Sequence, residues 1–313
     1  MAAAMEKNER VRAALRGQEV DRPPFCFWHH FRPCHSARAL AEDTVAFFGR
    51  YDLDIYKVMP DLPYPFPRRS IRALNDWHLL TPLRADQGNP ARVVDTVRRI
   101  RRAVGPSIPL VVTVFSPLTE ATNFAGHELI LQHMREDPAT VHGALDTIAE
   151  TLANLGFGVL EAGADGLYVG NQAAGNGLFT PQQYIEFGRP YDLRVLNAAS
   201  EAWLHIMHVH GEHDLLIDQV LDYPVAAVSW SDRLTGLPLK QVWSSAPRLA
   251  VMGGMNEQGA IVHGPTEEIL AEMRDAVAQT GGRRHILAPG CSVPDDCPEQ
   301  WLHAARDAVD HLA

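Results

Sequence analysis

The sequence predicts an α/β fold, a single-domain (β/α)8 TIM barrel with an N-terminal helix. Three observations predict it. About eight short apolar segments recur along the chain, nearly all followed by a stretch of helical period. Those segments are continuous apolar runs and not strict alternators, as expected of parallel strands buried on both faces. The 313 residues carry no low-complexity linker and no break in composition, so one domain is the simpler reading. A doubly wound open sheet is the alternative, but no glycine-rich phosphate fingerprint follows the first strand. The expected boundaries are a helical extension over residues 1–20 and the barrel over residues 21–313.

Residues 5–16 read as a charged amphipathic helix with Val11, Ala14 and Leu15 on its apolar side, stopped by Gly17. After the turn Asp21-Arg22-Pro23-Pro24, Phe25 to Phe31 reads as an aromatic strand ending near His29 and His30. A helix is expected over 36–49, a strand over 53–58, and a proline-stiffened loop over 59–67. Pro90 opens a helix over 90–104. Pro109 to Phe115 is a β-branched strand, 138–161 a long helix, and Gly166 to Gly170 a strand ending in Asn171-Gln172. A helix over 181–200 precedes the apolar run Trp203 to Gly211. Ala226 to Trp230 reads as a strand ending in Ser231-Asp232, and Leu249 to Met252 as one ending in Gly253-Gly254-Met255-Asn256. A helix over 266–280, the strand His285 to Ala288 ending in Pro289-Gly290-Cys291, and a helix over 298–312 complete the chain.

Active sites of such barrels lie at the C-terminal ends of the strands. The expected strand ends carry His29 and His30, Asp61, Ser116, Asn171 and Gln172, His208 and His210, Asp232, Asn256 and Cys291. Of these, His29, His30, Asn171, Gln172 and Asn256 are candidate substrate-binding residues. One of the two adjacent histidines is expected to point outward, because strand neighbours alternate. The same alternation puts His208 and His210 on one face of their strand, with His205, Met207 and Val209 on the other. Two imidazoles one pleat repeat apart suit half of a Zn²⁺ site.

Composition narrows the classes. Twenty-eight Lys and Arg against 38 Asp and Glu give a net charge of −10, which speaks against a nucleic-acid partner. No run approaches a membrane span, and the first residues do not read as a signal peptide. The four cysteines are scattered and form no secreted disulfide framework, so a reducing cytoplasm is expected. Cys26 and Cys34 read as small core hydrophobes and Cys297 as structural. Lys57 reads as a buried ion-pair partner, and Arg68-Arg69 as an anion-facing or solvated pair.

The motifs Ala13-Ala14-Leu15-Arg16-Gly17, Val20-Asp21-Arg22-Pro23-Pro24, Asp52-Leu53-Asp54 and Gly163-Ala164-Asp165-Gly166 resemble, in order, those of the uroporphyrinogen decarboxylase superfamily. So do Phe179-Thr180-Pro181 with Phe187 and Pro190-Tyr191, and Pro289-Gly290-Cys291 with Pro294 and Pro298. The resemblance implies a (β/α)8 barrel and one of two chemistries. One is metal-free decarboxylation of tetrapyrrole acetate arms, for which Asp61 matches the essential aspartate. That branch carries an arginine-rich segment where this chain reads Phe27-Trp28-His29-His30-Phe31-Arg32-Pro33, a histidine where it has Cys291, and a serine where it reads Gln172-Ala173-Ala174. The other is zinc-dependent methyl transfer between corrinoids and thiols. Its His-x-Cys and late cysteine match His208, His210 and Cys291, with His210 in place of the usual cysteine.

The second branch is the closer match. It implies Zn²⁺ on His208, His210 and Cys291, a thiol or methylated small molecule as substrate, and methylcobalamin or a corrinoid protein as methyl donor. A homodimer is also implied. Asp61 and Asp232 are the candidate catalytic carboxylates, as bases or as partners of a ligating histidine. A non-catalytic zinc-binding barrel is the third reading.

Overall fold

The structure, a computed structural model, describes residues 4–31, 36–64 and 70–312. Cys34, Arg32, Arg68 and Arg69 lie outside the described residues. Seven parallel strands form one sheet in sequence order: β1 (Tyr56–Val58), β2 (Leu110–Phe115), β3 (Gly166–Asn171), β4 (Ile206–Val209), β5 (Ala227–Ser229), β6 (Ala250–Met255) and β7 (His285–Pro289). Every strand residue but Phe115 is buried, the reason these runs are continuously apolar and do not alternate. Helices link the strands, as parallel pairing requires. Several match their expected bounds: Lys7–Leu15, Ala37–Arg50, Gly88–Val104, Pro138–Glu161, Thr266–Thr280 and Glu299–Val309.

The expected eighth strand departs from the reading. The stretch from Phe25 makes one bridge, to Leu287 of β7. Around it Leu287 N donates to Pro24 O (2.8 Å), Cys26 N to Leu287 O (3.1 Å) and Asp54 N to Phe25 O (2.9 Å). Pro23 and Pro24 have no N–H to give a ladder, and Phe25 N donates to the Asp54 carboxylate instead (2.8 Å). The stretch therefore lies beside β7 without becoming a strand.

Two further differences have local causes. The expected helix over 181–200 is two, Pro181–Phe187 and Arg189–Ala198, because Pro190 lacks the N–H that would continue the first. Helices Pro117–Ala125 and His127–Glu136 fill a region the periodicity left blank. Ser116 caps the first of them, its Oγ accepting from Thr119 N at 3.3 Å, with Pro117 in its first turn. No helix among the described residues is long and apolar enough to cross a membrane.

At the N-terminal end of the sheet, the fully buried carboxylate of Asp54 draws the first helix and the turn after it onto β1. Arg10 donates to its Oδ1 (2.6 Å), Arg22 to its Oδ2 (2.5 Å), and Phe25 N adds a third bond. Lys57 is 2% exposed, as expected, but not as an ion-pair partner. No carboxylate among the described residues bonds it. Its ammonium lies over the rings of Trp28 (4.5 Å) and Tyr168 (4.2 Å), and burial pulls its pKa down to about 7.

Candidate metal centre

The ligand atoms of His208, His210 and Cys291 lie within 4.8 Å of one another. His208 ends β4 facing inward, its ring 5.5 Å from that of Tyr168. His210, two residues on, has its ring 5.7 Å from the ring of His208. Cys291 arrives from the loop after β7, its Sγ 3.7 Å from His210 Nδ1. That loop depends on Gly290, where a Cβ would sit 2.4 Å from the Ser231 Cα.

The donors are prepared for a cation. Register places His208 beside Ser229 on β5, and His208 Nδ1 is 3.3 Å from Ser229 Oγ. If Nδ1 carries the proton, Nε2 presents a lone pair, and Nε2 is buried without a hydrogen-bond partner. Burial holds both imidazoles below their usual pKa, so they are neutral at pH 7. Burial pushes the Cys291 thiol up, but its neighbours His208 and the Ser292 backbone together outweigh this and the net shift is down. Two neutral imidazoles and an acidic thiol are a donor set for Zn²⁺ that leaves a fourth position open.

A cavity of about 750 Å³ opens over His210 and Cys291. His30 and His210 line it, with Glu257, Ser231 and Cys291. His30 Nδ1 bonds Asp61 Oδ1 at 2.8 Å, which raises the His30 pKa. Asp61 has φ +46°, and its Oδ2 is buried without a partner. His29, the neighbour expected to face away, packs on Phe31 (4.7 Å) and Phe47 (4.4 Å) and does not line the cavity.

Other predicted site residues lie elsewhere. Asn171 is fully buried; its amide donates to Tyr184 OH (2.7 Å) and Asp192 Oδ2 (3.1 Å), and its Oδ1 accepts from Ser116 Oγ (3.2 Å). Gln172 follows it, its amide N–H donating to Thr119 Oγ1 (3.0 Å). Asn256 folds a turn, its Oδ1 accepting from Gln258 N (2.9 Å). Asp232 is buried and turned away, its Oδ1 accepting from Gly254 N (2.9 Å). Burial raises its pKa to about 7.

Next to the last two stand the residues that do reach the cavity, Glu257 and Ser231. Ser231 Oγ donates to Glu257 Oε1, and Glu257 Oε2 is buried without a partner. Burial raises the Glu257 pKa. The sequence reading missed Glu257 by one residue and missed Ser229. The signal for Ser229 was present in the alternation of β5, but only the register to β4 aligns it with His208.

Comparison with known proteins agrees with this architecture. The uroporphyrinogen decarboxylase (URO-D) family profile matches residues 56–312. Methylcobamide:CoM methyltransferase MtaA of Methanosarcina barkeri (strain Fusaro) is 25% identical over 219 residues, 69% of this chain and 62% of that protein. The chain thus spans about six tenths of that relative's length. Uroporphyrinogen decarboxylase of Prochlorococcus marinus (strain NATL1A) is 26% identical over 251 residues, 75% of this chain and 66% of that protein. Among solved structures, a methyltransferase from Methanosarcina mazei superposes with a TM-score of 0.78 at 18% identity, covering 98% of this chain and 99% of the other. A B12-independent methionine synthase from Shewanella sp. W3-18-1 gives 0.61 at 11% identity, covering 88% and 86%. These two establish a shared fold. The chain belongs to the uroporphyrinogen decarboxylase family.

Proposed function

We infer that this chain is a methyltransferase-type enzyme that holds Zn²⁺ on His208, His210 and Cys291 and acts on a thiol or methylated small molecule. The observation that carries the reading is the convergence of three donors from two strand ends, with His208 Nε2 buried and unbonded. The bonds of residues 24–27 to β7 and to Asp54 before β1 support reading the sheet as a barrel closed around the site. The MtaA relative supports a corrinoid as methyl donor.

Held by His208, His210 and Cys291, Zn²⁺ would supply Lewis acidity that favours the thiolate form of a substrate thiol. The chain's residues do the rest. Ser229 fixes the His208 tautomer through Nδ1. Glu257, with Oε2 free and its pKa raised, takes the thiol proton as substrate enters. His30, held by Asp61, hydrogen-bonds the polar end of the substrate from the opposite wall. Asn171, Gln172, Asn256 and Asp232 act at a remove, by fixing the loops that carry these groups.

A metal-free decarboxylase built on Asp61 is the second reading, favoured by the buried, unbonded Oδ2 of that residue. One measurement separates the two. Elemental analysis of the purified protein is expected to find about one zinc per chain, falling more than tenfold in His208→Ala and in Cys291→Ala. Zinc at wild-type level in both variants would overturn the ligand set. Methylcobalamin demethylation with a panel of small thiols then tests the chemistry.

A further inference from the structure

A second cavity, of about 800 Å³, lies beside the metal centre at the C-terminal ends of β1 and β2. The loop after β1 walls one side with Asp61 and Tyr64. Helix Pro117–Ala125 adds Glu120 and Phe124, and the rest of the lining is mainly aliphatic. None of the metal-ligating residues lines it.

Its ionisable groups among the described residues are all acids, beside the neutral Asn89, Asn123, Thr113 and Thr151. Glu120 is 9% exposed and sits among apolar walls. No lysine, arginine or histidine lines the cavity among the described residues. Tyr64 is 8% exposed, and its hydroxyl is buried without a hydrogen-bond partner. Asp61 Oδ2 is buried and likewise unbonded, while its Oδ1 is taken by His30. The rings of Tyr64 and Phe124 meet edge to face at 5.4 Å. Buried polar atoms without partners are rare in native folds and ask for an explanation.

The chemistry of an occupant follows from these groups. An anion is disfavoured by two acids, of which only Asp61 has a basic partner, His30. A plain hydrocarbon leaves the Tyr64 hydroxyl and Asp61 Oδ2 unbonded. An ammonium donates to a carboxylate and to the Tyr64 hydroxyl and gains from the aromatic faces. We propose that this cavity is a binding site for an organic amine with an apolar body, its cationic nitrogen held by Glu120 and the Tyr64 hydroxyl. The proposal does not rest on the metal reading.

Titration adds a signature. Burial raises the Glu120 pKa to about 7, with only the Asn123 amide working against it. The other titratable groups near this end of the cavity are Tyr64 and Asp61 on the loop and Glu150 near Tyr64 on helix Pro138–Glu161. These acids do not offset the Glu120 charge; the bases nearest the cavity among the described residues, His30 on Asp61 Oδ1 and Lys57 against Met59 Sδ, act on its Asp61 side. A bound cation favours ionised Glu120. Amine binding therefore tightens as pH rises from 6 to 8 and releases a proton.

Calorimetric titration of the purified full chain with benzylamine, benzyl alcohol and benzoate tests this. Benzylamine is expected to bind about tenfold tighter than the alcohol or better, and benzoate not at all. Glu120→Gln is expected to weaken benzylamine about tenfold and to abolish the pH dependence. Tyr64→Phe is expected to weaken it about threefold. An amine can also ligate a metal, so the titration is repeated on His208→Ala, where binding is expected to be unchanged.

Equal binding of all three probes would overturn the proposal. So would loss of binding in His208→Ala, or an unaltered Kd in a folded Glu120→Gln variant. Should that variant not fold, the absence of proton release by the wild type between pH 6 and 8 overturns it instead. Zinc content is measured on the same samples, so a failure here is distinguishable from a failure of the metal reading.

Discussion

Asp54 at the N-terminal end of the sheet and the ligand cluster at its C-terminal end treat buried polar groups in opposite ways. At the N-terminal end, Asp54 is fully buried and both its oxygens are bonded, by two arginines and a backbone N–H. Arg10 is in turn shared with Asp21 (2.7 Å). At the C-terminal end, His208 Nε2, Glu257 Oε2 and Asp61 Oδ2 are all buried and unbonded. The first arrangement ties the N-terminal helix to the sheet. The second keeps bonding capacity in reserve, which costs stability and is sustained where something else is to be bound. The contrast matches the division of labour in this architecture, stability at one face and chemistry at the other.

The sharpest way to break the comparison is to unpair Asp54. Asp54→Ala leaves two buried guanidinium groups without their carboxylate and is expected to cost about 3–5 kcal/mol, read by urea unfolding. His208→Ala, by contrast, removes a buried ring packed on Tyr168 and its one bond to Ser229 Oγ but leaves no charge unpaired, and is expected to cost the metal-stripped chain less, about 1–3 kcal/mol. Equal losses in the two variants would mean that the two ends do not differ in kind.

A carboxylate whose burial outweighs its one neighbouring cation sharpens the contrast through pH. Asp232 accepts one short bond, from Gly254 N, with Arg233 Nε at 3.4 Å. Its folded pKa is about 7, raised by burial above the unfolded value. The folded state therefore binds the proton more tightly, so this contribution to stability is complete below about pH 4 and is lost as pH rises toward 7. Asp232→Asn keeps the acceptor and removes the titration. Relative to wild type, the variant is expected to gain about 2 kcal/mol on going from pH 5 to pH 7. A constant difference across that range would show that Asp232 is ionised throughout.

What was legible in the sequence follows the same line. Strand positions were readable because burial on both faces leaves continuous apolar runs, and the His208–His210 pair because alternation alone sets it. Cys291 was readable through the motif around Gly290. Long-range packing was not. Asn171 looked like a mouth residue, yet Tyr184 and Asp192, 13 and 21 positions away, draw its amide inward. Glu257 was hidden because the turn after β6 decides which of two adjacent polar residues faces the cavity, and Asn256 closes that turn. The stretch after Pro24 resembled a strand by composition, but the Asp54 carboxylate competes for its first amide.

The smallest expected effect bears on whether the reserve at the C-terminal end is organised or merely unsatisfied. If Ser229 sets the His208 tautomer, removing its hydroxyl frees Nδ1 to trade its proton with Nε2, and part of the population then presents N–H to the metal. Ser229→Ala is expected to weaken zinc about tenfold, read by competition with a chelating dye, with little change in unfolding by urea. Ser229→Thr keeps a hydroxyl on the same Cβ and is expected to restore most of the affinity. Wild-type affinity in Ser229→Ala would mean that the unbonded Nε2 owes its state to burial alone, and that this end differs from the other only in lacking partners. Loss in Ala with recovery in Thr would mean that the chain orients His208 toward the site.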